Sequence, residues 1–179
     1  MWAPKFLALK KGPRTGLGRV LGMPTPKFIR ELREKIGHDL LWLTGITGVV
    51  LNDADEVLLV RRADTGRWAL VAGILEPGEQ PATGLVREIQ EETAVQAVVE
   101  RLVSIESLPP SSYPNGDQVQ FLDLCFRCRP ISGVPRVNDD ESLEVRWWPL
   151  NALPDLPDRE QTCIKNALSP DPTPVYATS

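Results

Sequence analysis

The sequence has few of the residues that form disulfides or bind transition metals. Its 179 residues include three cysteines and one histidine, His38. The odd cysteine count, with no apolar core and cleavage site at the N-terminus, argues against export on a disulfide framework and favours a cytoplasmic location. Cys125 and Cys128 have CxxC spacing, but in the strand-like run Phe121–Arg129 their thiols point to opposite faces. A zinc site is therefore not expected.

An excess of positive charge and a long apolar run are also missing. A net charge of -4 and a pI near 5.1 give no basic field for a nucleic acid polymer, although a small anionic substrate remains compatible. No run approaches the roughly 20 apolar residues of a membrane span, so no membrane partner is expected. The composition that is present, 42% hydrophobic and 25% charged, is typical of a folded globular chain.

The ends of the chain differ from its middle. Residues 1–22 are basic and contain glycine and proline without a sustained period, which predicts a loosely ordered extension, and translation from Met23 is a hypothesis. The region 23–41 is predicted to hold a helix that starts at Thr25-Pro26, with apolar residues at helical spacing before Gly37. The proline-rich residues 169–179 are expected to be a flexible tail.

The middle region, 42–168, is predicted to form one α/β layered domain, because strands are separated by a central helix and followed by a terminal helix. The turn at 52–55 indicates a hairpin between the first two strands. Trp147 and Trp148 are adjacent on a strand, so they are expected on opposite faces. The predicted elements are strands Ile46–Leu51 and Val57–Arg62, a helix at 80–93, strands Val95–Ser107, Gln118–Cys128 and Val145–Trp148, and a helix within Asp158–Leu168.

Three carboxylates fall in the last two turns of the central helix. Glu88 and Glu92 stand one above the other and Glu91 lies beside them. They repel one another and approach the negative end of the helix macrodipole. A divalent cation removes this conflict, since Mg²⁺ and Mn²⁺ prefer carboxylate oxygens. The alternative is an ordinary acidic face in water.

The residues around this helix resemble the Nudix box, written GX5EX7REUXEEXGU with U aliphatic. Gly73, Glu79 and the run Arg87-Glu88-Ile89-Gln90-Glu91-Glu92 match it, and only Ala94 replaces the final glycine. We expect Ala94 either to take a strained left-handed conformation or to alter the helix exit. The resemblance, to MutT-like Nudix hydrolases, implies an α/β/α sandwich with a mixed central sheet.

The resemblance also implies roles for individual residues. Glu88 and Glu92 would be the principal ligands of Mg²⁺ or Mn²⁺, Glu91 a further ligand or a base, and the Gly73 carbonyl another donor. Arg87 would pair with Glu79 and support the loop. Many family members take a general base from outside the box, and the acidic run Asp139–Glu144 offers Glu141 first and Glu144 second.

Other residues are candidates for substrate contacts. Arginine suits phosphate and aromatic rings suit a nucleobase, whereas each of these residues also has a purely structural explanation. The candidates are Arg61, Arg62, Arg67 and Trp68 before the box, and Tyr113 and Asp117 on the loop after it.

The function implied is a pyrophosphohydrolase acting on a small nucleotide-like substrate, such as a nucleoside triphosphate or ADP-ribose, with a homodimer as one possible assembly. The alternative is a non-catalytic sensor or interaction module on the same fold. An isomerase like isopentenyl-diphosphate isomerase would need a catalytic cysteine, and none of the three cysteines is near the box.

Overall fold

A computed structural model describes residues 26–113 and 115–176, which form three helices and nine strands. The predicted extension 1–22, the possible start at Met23 and the proposed capping residue Thr25 lie outside the described residues. The helices are α1 Lys27–Ile36, α2 Pro81–Thr93 and α3 Asp158–Ala167. The strands are β1 Leu41–Val50, β2 Glu56–Arg62, β3 Trp68–Ala69, β4 Val71–Ile74, β5 Gln96–Ser107, β6 Ser111–Ser112, β7 Gln118–Ser132, β8 Ser142–Pro149 and β9 Val175–Tyr176.

The central sheet has the order β4-β1-β7-β5-β9, with β6 paired to β7. Its strands are mixed in direction, because β1 is parallel to β7 and β9 is parallel to β5, whereas the other pairs are antiparallel. β1 pairs with β7 along its whole length, from Leu41 opposite Val119 to Val50 opposite Cys128. The mixed sheet that the resemblance implies is therefore confirmed.

The helices α2 and α3 cover opposite faces of this sheet. Alternate residues of a strand point to opposite faces. On β1, Ile46 belongs to the apolar cluster that contains Leu85 of α2, whereas Val49 belongs to the cluster that contains Ile164 of α3. The α/β/α sandwich is thus confirmed, with a separate apolar cluster under each helix.

The turn after β1 joins two sheets instead of closing a hairpin. Asn52 Oδ1 accepts hydrogen bonds from the backbone N–H groups of Ala54 and Glu56, at 2.9 and 3.0 Å, so the predicted tight turn is present. Only the single bridge between Leu51 and Val57 connects the flanking strands. β2 lies in a second sheet of order β3-β2-β8, and the hairpin prediction was therefore wrong in its pairing.

Most long elements lie where the hydrophobic spacing predicts them, and the differences concern their ends. α2 begins at Pro81, where proline has no helical hydrogen bond to lose. β7 continues past the predicted Cys128 to Ser132, because it remains paired with β5 there. Within the stretch expected to be a flexible tail, Val175 and Tyr176 form β9, and the flexibility of the tail stays a prediction.

The predicted N-terminal helix is present as α1. Pro26 immediately precedes the first helical residue, rather than occupying the first helical position as predicted. Ile29 is buried in a third apolar cluster with Leu43 of β1 and Phe121 of β7. The helix is therefore packed against the sheet.

The three cysteines are buried and free. Cys125 lies in the apolar cluster under α3 and Cys128 in the cluster under α2, so the prediction that their thiols point to opposite faces is confirmed. The adjacent Trp148 and Trp147 divide between the same two clusters, also as predicted.

None of the helices in the described part of the chain has the length and apolar character needed to cross a lipid bilayer.

Candidate active site

Two of the three acidic residues near the end of α2 are buried. Glu88 and Glu92 are only 6% and 2% exposed. An acidic face in water, the simplest explanation of a charged helix, would leave both carboxylates solvated. That alternative is therefore excluded for these two residues. The side chain of Glu91 is 42% exposed and remains open to solvent.

Arg87 contacts three carboxylates at once. Its Nε and Nη2 donate to Oε1 and Oε2 of Glu79 at 2.9 and 3.0 Å, so the ion pair expected between loop and helix is present as a two-point contact. Its Nη1 donates to Oε1 of Glu88 and to Oε2 of Glu91, both at 3.0 Å. One guanidinium thus fixes the loop and brings the Glu88 and Glu91 carboxylates together.

Two glycines leave the space that these carboxylates occupy. A Cβ atom on Gly73 of β4 would lie 2.3 Å from Cδ of Glu88, and one on Gly84 of α2 would lie 2.8 Å from Oε2 of Glu79. The sequence indicated a close approach at Gly73 but not its partner. Gly84 was missed, although a glycine inside a helix costs about 1 kcal/mol relative to alanine and was therefore a signal.

The environment of Glu88 disfavours its charged form. Burial raises the pKa of Glu88 to about 7, the nearby carboxylates of Glu91 and Glu141 add to the rise, and Arg87 opposes it. Glu141 precedes β8 and is thus brought near the end of α2, as proposed for a base. We call Glu88, Glu91, Glu92 and Glu141 the acidic cluster.

The second candidate base is engaged elsewhere. Glu144 of β8 stands opposite Arg61 of β2, and the Arg61 Nε lies 3.5 Å from the Glu144 Oε2. The two side chains are about equally exposed and neutralise each other. Arg61 and Glu144 therefore each have a charged partner within the protein, and neither needs a substrate contact to account for its charge.

Arg62 is buried, is hydrogen-bonded to one acidic residue and interacts with the charges of others. Its Nε donates to Oδ1 of Asp64 at 2.9 Å, and its Nη2 contacts Oδ2 of the same residue. Burial opposes the charged form, but Asp64, Glu160 and Glu92 outweigh it and raise the pKa of Arg62. Arg62 therefore lies near enough to Glu92 for their charges to interact. The sequence did not identify Asp64 or Glu160, because a single acidic residue carries no pattern.

The other substrate candidates do not all converge on the cluster. Trp68 packs edge-on against Trp148, with ring centroids 5.2 Å apart, on the α3 side of the molecule. Arg67 is exposed in the loop between β2 and β3. Burial raises the pKa of the Tyr113 hydroxyl, and the nearby charge of Arg62 opposes the rise.

Asp117 is bound to the N-terminal helix region. Its Oδ1 lies 2.7 Å from Nδ1 of His38 and 3.5 Å from Nε of Arg33. Burial opposes its charged form, but the hydrogen bond to His38 and the other partners lower the pKa of Asp117. The loop that carries Tyr113 is thereby attached to α1, a link that the sequence did not reveal.

The acidic cluster fits a divalent cation in its donor chemistry. It offers carboxylate oxygens, which are hard ligands suited to Mg²⁺ or Mn²⁺. Among residues 26–113 and 115–176, however, no three acidic, histidine or cysteine side chains already stand in a metal-binding arrangement. Arg87 Nη1 instead donates a hydrogen bond to one carboxylate oxygen of Glu88 and to one of Glu91.

The comparisons with known proteins agree with this geometry. A sequence model of the NUDIX domain matches residues 41–167. The chain belongs to the Nudix family. Ala94, where the Nudix box has glycine, adopts the left-handed conformation with φ 60°, so the helix ends there despite the substitution.

Two curated relatives of this Nudix chain illustrate the similarity. It is 38% identical over 102 residues to a MutT-like protein of Streptomyces ambofaciens, covering 57% of this chain and 60% of that protein. It is 36% identical over 115 residues to the human 8-oxo-dGDP phosphatase NUDT18, covering 61% of this chain and 33% of that protein. The chain therefore spans less than two thirds of the length of these relatives.

A solved structure gives the same fold. The MutT NUDIX hydrolase from Burkholderia pseudomallei aligns with a TM-score of 0.58 at 22% identity, covering 70% of this chain and 98% of that one.

Proposed function

We propose that this Nudix chain is a Mg²⁺- or Mn²⁺-dependent pyrophosphohydrolase that cleaves a phosphoanhydride bond in a small nucleoside diphosphate-linked substrate. The observation that carries the proposal is the contact of Arg87 with Glu79, Glu88 and Glu91 beside the buried Glu92. A structural ion pair needs one carboxylate, whereas this arrangement concentrates several at one point. The named relative that acts on 8-oxo-dGDP supports the substrate class.

The acidic residues would hold the cofactor. Glu88 and Glu92 would be the principal ligands, with Glu91 and the Gly73 carbonyl as further donors. A divalent cation held there would supply positive charge that offsets the charge of the pyrophosphate and makes the attacking water more acidic. Arg87, fixed by Glu79, keeps Glu88 and Glu91 in place.

Glu141 acts as the general base in this proposal. Its carboxylate accepts a proton from the attacking water while the oxygen bonds to phosphorus. The anhydride P–O bond then breaks, and the two phosphate-bearing products leave. Burial of Arg62 against Asp64 gives it a supporting role near Glu92, and Tyr113 on the neighbouring loop remains the candidate for stacking on the nucleobase.

The test is turnover of a substrate panel by the full chain. The panel contains nucleoside triphosphates, 8-oxo-dGDP, ADP-ribose, a UDP-sugar and NAD, each with Mg²⁺, Mn²⁺ or EDTA. We expect hydrolysis of at least one compound, abolished by EDTA and reduced at least about 100-fold in Glu92→Gln, in line with loss of a metal ligand. The variant Glu31→Gln, on the exposed face of α1, is the matched control.

Two results would count against the proposal. Turnover by Glu92→Gln as fast as that of the wild type would remove the assigned metal role. Nucleotide binding without turnover under any of the metal conditions would favour the sensor alternative. Cytoplasmic location and dimerisation stay predictions.

A further inference from the structure

The segment between β7 and β8 is bonded to the C-terminal end of α2. The backbone N–H of Arg136 donates to the Thr93 carbonyl at 3.0 Å, and that of Asn138 donates to the Glu92 carbonyl at 3.3 Å. The Asn138 side-chain amide donates to the Gln90 carbonyl at 3.2 Å. The Gln90 carbonyl also accepts the Ala94 N–H, whereas carbonyls in the last turn, such as those of Glu92 and Thr93, lack partners within the helix and receive them from this segment.

The approach between the two elements is close. Gly133 has φ +97°, and a Cβ atom there would lie 2.4 Å from the Ala94 carbonyl oxygen. Only glycine tolerates both the backbone conformation and the contact. The segment therefore leaves β7 at a fixed position relative to the end of α2.

Asp139 fixes the continuation of the same segment. Its Oδ1 accepts hydrogen bonds from the backbone N–H groups of Glu141 and Ser142, both at 3.1 Å. On the other side, the Glu141 carbonyl accepts a hydrogen bond from the Ala63 N–H at 2.8 Å. The backbone of Glu141 is thus held at both its N–H and its carbonyl, next to a segment already attached to α2.

We propose that Asp139 is a positioning residue whose Oδ1 hydrogen bonds aim the Glu141 carboxylate at the acidic end of α2. The inference rests on the proposed function, in which Glu141 takes the proton from the attacking water. A base on an untethered loop would spend much of its time away from that water, and displacement by about 1 Å can cost about 100-fold in rate. Asp139 itself does not touch the substrate in this proposal.

Substitutions at Asp139 separate positioning from charge. Asparagine keeps an Oδ1 acceptor for the two N–H groups, whereas alanine removes it. In the full chain with Mg²⁺ and its best substrate, we expect Asp139→Ala to lower kcat about 10- to 100-fold with KM changed less than about threefold. Asp139→Asn should recover most of the rate. Asp140→Ala, at the exposed neighbouring position, is the control and should resemble the wild type.

A double substitution tests whether Asp139 acts through Glu141. In a Glu141→Gln background, Asp139→Ala should cause almost no further loss, because there is no longer a base to position. Independent losses that multiply would overturn the proposal. Equal losses in Asp139→Ala and Asp139→Asn would also overturn it, since they would assign the effect to the charge.

Hydrogen exchange provides a readout that does not depend on turnover. The Glu141 and Ser142 amides should exchange faster in Asp139→Ala than in the wild type, and Asp139→Asn should restore their protection. Unchanged protection in Asp139→Ala would contradict the role. If Glu92→Gln is inactive while Asp139→Ala is as fast as the wild type, only the positioning role fails. If the wild type hydrolyses no compound of the panel under any metal condition, the proposed function fails.

Discussion

Acidic residues near the C-terminal end of α2 destabilise a helix, and the structure shows which residue offsets their charge. Glu88, Glu91 and Glu92 approach a helix end that is already negative, and the last turn contains no basic residue. The compensation visible here is Arg87, one helical turn before Glu91. The repeated charges, together with the preceding loop and the resemblance to the Nudix box, predicted a metal site here, and the metal site stays a prediction. The three-way contact of Arg87 was not predictable, because it depends on side-chain rotamers and burial.

Gly73 offers a direct test at the residue scale. In Gly73→Ala the added methyl group would collide with the Glu88 carboxyl, so that carboxyl must move. We expect kcat/KM to fall at least about 100-fold, as for a misplaced catalytic group. Gly48→Ala is the matched control, because its methyl group would meet Leu85 Cδ1 at 3.1 Å, at the flexible end of an apolar side chain.

The comparison should be made on folded protein, checked by circular dichroism. Gly48→Ala is expected to change the free energy of unfolding while keeping kcat/KM within a few-fold of wild type. Equal activity losses in the two variants would show that any crowding of the sheet is harmful and that the position of Glu88 is not the cause.

At the element scale, polar contacts that the sequence did not reveal attach α3 to the residue between β3 and β4 and to β5. Oε2 of the buried Glu160 accepts a hydrogen bond from the Leu70 N–H at 2.8 Å. At the other end, Arg101 Nη2 donates to the carbonyls of Asn166, Ala167 and Ser169. The sequence predicted a helix within Asp158–Leu168, where α3 lies, but long-range polar partners leave no local pattern. Likewise, the residues at 52–55 predicted a turn, because turn residues form a local pattern. They did not predict that β2 would pair in a different sheet from β1, because strand pairing depends on distant residues.

Glu160 predicts a pH dependence of stability. Burial raises its pKa to about 7 from an ordinary value of 4.5, although the Leu70 N–H, Arg159 and Arg62 oppose the rise. The folded state therefore holds this proton more tightly than the unfolded state does. The contribution of Glu160 to stability is full below about pH 4.5 and is lost as the pH rises toward 7.

Glu160→Gln keeps an oxygen acceptor and removes this titration. Relative to the wild type, its free energy of unfolding should therefore increase by about 1 to 3 kcal/mol between pH 4.5 and 7, measured by urea denaturation. A difference between the two proteins that is constant across this range would contradict the assignment.

At the scale of the whole molecule, the sandwich brings to one place residues that are far apart in sequence. Glu79 and Arg87 come from the loop and helix after β4, whereas Glu141 comes from the segment before β8. The family resemblance predicted the layers and the mixed sheet. It did not predict that α1 would attach through Asp117 to the loop carrying Tyr113, because those contacts lie outside the Nudix box.

The central claim is that the carboxylates near the end of α2 bind a divalent cation, and calorimetric titration with Mn²⁺ tests it most directly. The wild-type chain and Glu31→Gln should bind Mn²⁺ with the same affinity, and the double variant Glu88→Gln/Glu92→Gln should bind at least about 10-fold more weakly, as expected for lost ligands. Equal affinity in all three proteins, or no Mn²⁺ binding by the wild type, would contradict the account.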